Sequence, residues 1–207
     1  MSTWVIVVAA GSGARFGGAK QFAPLAGRRV LDWSLDAARA EADGVVLVVP
    51  PDHVERTEPG ADVVVAGGAT RSASVRAGLV AVPADATVVV VHDAARPVAS
   101  PGLFAEVIAA VHGGAAAAVP GVAVADTIRH RSGGVLDRDQ LVRVQTPQAF
   151  RAAALRDAHA RTAVEVTDDA MALELAGYRI RVIPGDPMAF KVTTADDLER
   201  ARSAIGG

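Results

Sequence analysis

No cysteine occurs among the 207 residues, so disulfides, zinc–thiolate sites, iron–sulfur clusters and cysteine nucleophiles are excluded. Aromatic residues are scarce at 4%, so any core must be filled by small and β-branched side chains. There is no basic surplus: 21 Lys and Arg stand against 23 Asp and Glu, for a net charge of -2. That balance excludes the electrostatic footprint of a duplex nucleic-acid binder but leaves room for a nucleotide site, which needs only a few local cations. No apolar run is long enough to cross a bilayer, and no membrane partner is expected. The apolar stretch Val5 to Ala10 has no Lys or Arg before it and stops at Gly11, so it does not read as a signal peptide. The lack of disulfides agrees with a cytoplasmic setting. The five histidines are scattered and offer no metal-ligand spacing. Internal repeats and low-complexity tails are also missing.

What is present is an alternation of short apolar runs and helical stretches, within a chain that is 51% hydrophobic. Val5 to Val8, Val45 to Val49, Val63 to Val65, Val88 to Val91 and Ala115 to Val119 read as buried strands, apolar on both faces. Val30 to Ala42, Ser72 to Ala81 and a stretch from Ser100-Pro101 to His112 read as helices, the last with a capping hydroxyl and a proline in its first turn. This order predicts an α/β fold of Rossmann-like type: a mostly parallel sheet with helices on both faces. Between about 122 and 145 the pattern changes. Alternating polar and apolar residues lead to Ser132-Gly133-Gly134, as in a hairpin with a glycine turn. Such a hairpin has too little core of its own, so it is read as a protruding β-arm that packs on another subunit. Residues 1–207 are read as one domain carrying that arm. Thr167-Asp168-Asp169 starts a further helix ending before Gly177. Ile180 to Ile183 is a strand, and a last helix follows Thr194.

Ligands of open α/β sheets bind beyond the carboxyl ends of the strands, and the distinctive motifs fall there. The loop from Ala9 to Lys20 is rich in glycine and carries two cations, Arg15 and Lys20, which suits phosphate oxygens approached by backbone N–H groups. It is neither of two familiar loops. A dinucleotide fingerprint wants glycine where Phe16 sits, and a P-loop wants Gly-Lys-Ser/Thr where Gly18-Ala19-Lys20-Gln21 stands. His92-Asp93-Ala94-Ala95-Arg96-Pro97 ends the fourth strand. Asp93 is placed to hold a magnesium ion or a ligand hydroxyl, or to act as a turn former. His92 is not favoured as a general base. Gly67-Gly68 would let a planar base approach, with Ser74 offering a hydroxyl; a plain strand-turn-helix junction would look the same. Lys191, alone among apolar neighbours, either snorkels outward or meets an anion.

Taken together, these segments resemble the family of 2-C-methyl-D-erythritol 4-phosphate cytidylyltransferases over nearly the whole chain, from Val7 to Leu198. The resemblance also rests on Asp126-Thr127, Asp137-Arg138, Gln145-Thr146-Pro147-Gln148, Thr167-Asp168-Asp169-Ala170 and Lys191-Val192-Thr193. It implies a homodimer with interlocking arms, and a reaction of CTP with the sugar-alcohol phosphate that yields CDP-methylerythritol and pyrophosphate with Mg²⁺. By resemblance, Arg15, Lys20 and Lys191 are the catalytic cations on the phosphates. Ala9, Ala10, Gly11, Gly13, Gly68, Ser74, Asp93 and Ala94 would surround the nucleotide, Asp93 also lying near the metal. Arg96, Thr146 and Thr167 would meet the polyol phosphate, joined by Thr127 and Arg138 from the arm of the neighbouring subunit. Relatives often carry an acidic residue after the second glycine, where this chain has Ala69. A backbone contact would survive that change, but a carboxylate contact would not.

Three alternatives stay open at this point. A sister enzyme acting on ribitol 5-phosphate or a similar pentitol phosphate would share every nucleotide motif. A non-catalytic nucleotide-binding module would need fewer cations. An oxidoreductase is disfavoured by Phe16.

Overall fold

A computed structural model describes residues 2–11, 13, 16–162, 166 and 168–206. Among them, an eight-stranded sheet is built from β1 (Thr3–Val8), β4 (Gly44–Val49), β5 (Val63–Ala66), β6 (Val88–Asp93), β7 (Ala117–Ala123), β10 (Val142–Val144), β11 (Gln148–Arg151) and β12 (Ile180–Pro184). Two small hairpins, β2–β3 (Pro24–Leu25, Arg28–Arg29) and β8–β9 (Ile128–Arg129, Val135–Leu136), stand apart from it. The helices are α1 (Val30–Arg39), α2 (Arg71–Ala81), α3 (Pro101–His112), α4 (Ala152–Arg161), α5 (Asp169–Leu175) and α6 (Ala195–Gly206). Strand order is β10-β7-β11-β6-β1-β4-β5, with β12 also pairing β7. The pairs β1–β4, β1–β6, β4–β5 and β7–β12 are parallel, while β10 and β11 run antiparallel to their partners.

Side-chain alternation along the strands places helices on both faces. Val5, Val7, Val45, Leu47, Val49, Val88 and Val90 pack with Leu31 and Leu35 of α1 and with Leu103, Phe104 and Val107 of α3. The intervening Ile6, Val46, Val48, Val89 and Val91 pack with Val75 and Leu79 of α2, Leu155 of α4 and Leu173 of α5. Both layers are valine- and alanine-rich, as the scarcity of aromatics requires. A fully buried leucine such as Leu31 contributes about 1.5–3 kcal/mol relative to its exposed state. Side-chain caps define several helix starts: Thr70 Oγ1 accepts from Ala73 N at 3.1 Å, Ser100 Oγ from Leu103 N at 3.3 Å, and Asp168 Oδ1 from Met171 N at 2.9 Å.

The five expected strands and the later one from Ile180 are present, with shifted ends. The fifth runs on to Ala123 rather than stopping near Val119, because residues 121–123 pair with β10. Strand β11 was not expected; it lies antiparallel between β6 and β7 and makes the sheet mixed. The hairpin β8–β9 turns through Gly133 and Gly134, as the glycine pattern implies. None of the residues from 123 to 144 is buried, and β10 ties this segment to the main sheet through its pairing with β7. Among the described residues, no helix is long and apolar enough to cross a membrane.

Candidate active site

The carboxyl ends of β1, β5 and β6 converge on one cavity of about 490 Å³. Its wall includes Ala9, Ala10, Gly11, Gly13, Lys20, Gly68, Ser74, Asp93, Ala94 and Lys191, bringing together residues from both ends of the chain. Close packing of the loops explains two of the glycines. A Cβ on Gly67 would lie 2.3 Å from Ala10 Cβ, so the turns after β1 and β5 touch only because that position has no side chain. Gly13 has φ +65°, in the left-handed region, and a Cβ there would meet Gly18 O at 1.7 Å. Gln21 clamps the same loop: its Nε2 donates to Ala9 O at 2.7 Å and to Gly11 O at 3.1 Å. Lys20 begins the short turn that places Gln21.

Ser74 is more committed than the sequence suggests. Its Oγ accepts from Gly68 N at 3.2 Å and donates to Thr70 O at 2.9 Å, so it shapes the glycine turn as well as lining the cavity. Lys191 arrives from the far end of the chain through a sutured loop. Val192 N donates to Ala95 O at 2.8 Å, and Arg96 Nη1 donates to Ala189 O at 2.7 Å. Val192 is itself buried with Leu25, Val30 and Ala201, so α6 and the β2–β3 hairpin hold the lysine in place.

Asp93 is the electrostatic centre. Lys191 Nζ donates to its Oδ2 at 2.7 Å, and Arg71 Nε donates to its Oδ1 at 3.1 Å. Burial alone would push this carboxyl up, but the charges of Arg71 and Lys191 outweigh burial and hold it well below the usual carboxylate range. Asp93 is therefore ionised at any pH where the protein works. The adjacent His92 is fully buried, tilted against Phe104, and burial pushes its imidazole down to about 3. A neutral histidine with no opening to solvent is no general base, in agreement with the sequence reading.

A second cavity of about 270 Å³ is lined by Arg96, Thr146, Gln148 and Asp168, and it shares Arg71, Asp93 and Lys191 with the first. Thr146 lies next to a cis peptide bond to Pro147. Its hydroxyl accepts from Asp93 N at 3.0 Å and lies 3.3 Å from His92 Nδ1, so it also fixes the end of β6. Thr127 and Arg138 line neither cavity; both are exposed on the 123–144 segment, where Arg138 Nη1 donates to Ala125 O at 2.6 Å. Arg15 and Thr167 lie outside the described residues. Arg71, Gln21, Gln148, Asp168 and Asp169 were not singled out as site residues. Gln148, Asp168 and Asp169 stand in segments that carry the family resemblance, and Arg71 and Gln21 follow the glycine pair and Lys20 respectively.

Among the described residues, no group of three acidic or histidine side chains could cage a metal ion. The cavities offer Asp93 as a shared carboxylate, with Arg71 on one of its oxygens and Lys191 on the other. A magnesium ion here would therefore be held chiefly by substrate phosphates and water, with Asp93 beside it, rather than by an all-protein cage.

Comparison with known proteins shows the family and the fold. The family model described as "IspD: 2-C-methyl-D-erythritol 4-phosphate cytidylyltransferase" matches residues 3–206. The bifunctional enzyme IspD/IspF of Clavibacter michiganensis is 46% identical over 220 residues, which cover 97% of this chain and 54% of that one. The chain thus spans about half the length of such bifunctional relatives. The 2-C-methyl-D-erythritol 4-phosphate cytidylyltransferase of Rhodococcus opacus is 44% identical over 212 residues, covering 97% of this chain and 93% of that one. The crystal structure of the enzyme of that name from Thermus thermophilus superposes with a TM-score of 0.88 at 39% identity, each chain covered in full.

Proposed function

Because the chain belongs to the 2-C-methyl-D-erythritol 4-phosphate cytidylyltransferase family, we propose that it transfers CMP from CTP to 2-C-methyl-D-erythritol 4-phosphate in isoprenoid precursor biosynthesis. The observation that carries this reading is the pair of adjoining cavities sharing Arg71, Asp93 and Lys191. The larger is walled by glycine loops and suits the nucleotide. The smaller is polar and suits a polyol phosphate. A phosphate oxygen of the acceptor attacks the α-phosphorus of CTP, a new P–O bond forms, and the bond to the bridging oxygen breaks. The electron pair leaves with pyrophosphate. The acceptor phosphate is already ionised at neutral pH, so no general base is required, which fits a site whose adjacent histidine is sealed and neutral.

The obstacle is repulsion between two polyanions. Lys20 and Lys191, with Arg15 by family resemblance, offset it and stabilise charge at the five-coordinate phosphorus. A magnesium ion would be held mostly through the triphosphate, with Asp93 at hand, and would supply further positive charge there. The rest of the reading concerns assembly. Residues 1–207 act as one domain, and Thr127 and Arg138 serve a neighbouring subunit in a homodimer. The exposure of Val135, Val142 and Val144, at 58%, 44% and 40%, supports this, since an apolar surface on a segment without a core wants a partner. A cytoplasmic setting, where CTP is supplied, completes it.

The test offers purified protein each of the four nucleoside triphosphates with Mg²⁺ and a panel of polyol phosphates, and measures pyrophosphate. CTP with 2-C-methyl-D-erythritol 4-phosphate is expected to give the highest kcat/KM. A preference for ribitol 5-phosphate would overturn the acceptor, and no pyrophosphate from any pair would overturn the activity.

A further inference from the structure

The interior holds a charge that the reaction as described does not use. Asp169, the first residue of α5, is wholly buried, and an isolated carboxylate there would be costly to desolvate. It is not isolated. His159 of α4 meets its Oδ1 through Nε2 at 3.0 Å, and Arg71 of α2 donates to its Oδ2 through Nη1 at 2.8 Å. The other edge of the same guanidinium reaches Asp93, which in turn holds Lys191. Five ionisable side chains thus form one unbroken row from the space between α4 and α5 to the cavity: His159, Asp169, Arg71, Asp93, Lys191.

We infer that Asp169, backed by His159, is a positioning residue that orients Arg71, and through it fixes the Asp93 carboxylate and the Lys191 ammonium against the reacting phosphates. The reason lies in the shape of the guanidinium. A planar fork held at one edge alone can swing about that contact, whereas one held at two edges by separate carboxylates keeps its plane. Asp169 supplies the second edge from a helix packed against the sheet. Asp93 Oδ1 is then committed to Arg71, which leaves Oδ2 as the oxygen for Lys191. Burial would lower the affinity of Arg71 for its proton, but Asp93 and Asp169 raise it well above the ordinary value, so the fork stays charged. A role confined to pinning α5 onto α2 and α4 would not need the row to continue past Arg71 into the cavity.

This rests on the assignment of Lys191 to the phosphates, and the experiment separates the two. Asp169→Asn keeps the shape and removes the charge. Turnover per folded chain, with folded fraction read from circular dichroism, is expected to fall about 10-fold to 100-fold, the scale of a misplaced reacting group. His159→Gln, which leaves the Asp169–Arg71 pair in place, is expected to fold normally and to lose a few-fold in kcat with little change in the KM for CTP. Each substitution is then repeated in a Lys191→Met background by single-turnover measurement. Residues acting through one another lose additivity, so the second substitution should cost less than about 2-fold there. A crippled Lys191→Met enzyme in which Asp169→Asn or His159→Gln still costs its full factor would overturn the positioning role alone. A Lys191→Met enzyme with wild-type turnover would overturn the lysine assignment, and with it the purpose given to the row.

Discussion

Lys20→Ala is expected to lower turnover about 10²–10³-fold, the range seen when one donor to a developing anion is removed. The fold should survive. The turn at residues 20–22 is held by backbone bonds, Lys20 N to Gly18 O at 2.8 Å and Ala23 N to Lys20 O at 3.0 Å, and by the Gln21 clamp, none of which uses the lysine side chain. The loss should appear in kcat and kcat/KM together, because a cation that meets charge growing on the phosphates acts on the transition state more than on bound CTP. Steady-state kinetics with both substrates varied, alongside a melting curve, checks this. A folded Lys20→Ala enzyme with near-normal turnover would remove Lys20 from the mechanism.

The second large effect concerns the arm. Arg138→Ala and Lys20→Ala homodimers should each be nearly inactive, yet a purified heterodimer of the two should recover about half the wild-type rate, as isologous symmetry dictates. In that heterodimer, one site joins an intact Lys20 to an intact Arg138 donated across the interface, and the other carries both defects. The structural ground is that Arg138 lines neither cavity of its own chain and sits on a segment with no buried residue. Were Arg138 to act within its own subunit, each site would carry one defect and no activity would return. Differently tagged chains, co-purified through both tags and assayed for pyrophosphate, distinguish the two cases.

Much of this arrangement could be read from the chain because it is local. Runs such as Val45 to Val49 are β-branched on both faces and announce buried parallel strands, and glycines directly after such runs mark loops at the carboxyl ends. Nine of the residues expected around the nucleotide and phosphates line one cavity for that reason, while Lys191, the tenth, is brought there by contacts from the far end of the chain. What escaped is non-local. Strand β11 has four residues, and its place between β6 and β7 depends on an antiparallel return after the arm that no periodicity announces. Arg71 follows the Gly67–Gly68 pair closely in the sequence, but its partner Asp169 lies 98 positions away at the start of α5, and no local spacing joins the two. Thr146 and Ser74 were expected to face ligands. Their hydroxyls prove to brace the backbone as well, a double duty that depends on which carbonyls and amides the fold brings near them.

The most direct test of the central claim is a structure of the protein crystallised with CTP and Mg²⁺. The ammonium groups of Lys20 and Lys191 should both lie within hydrogen-bonding reach of phosphate oxygens, about 2.7–3.2 Å, with the base against the Gly67–Gly68 turn. A triphosphate seated elsewhere, or one contacted by neither lysine, would contradict it.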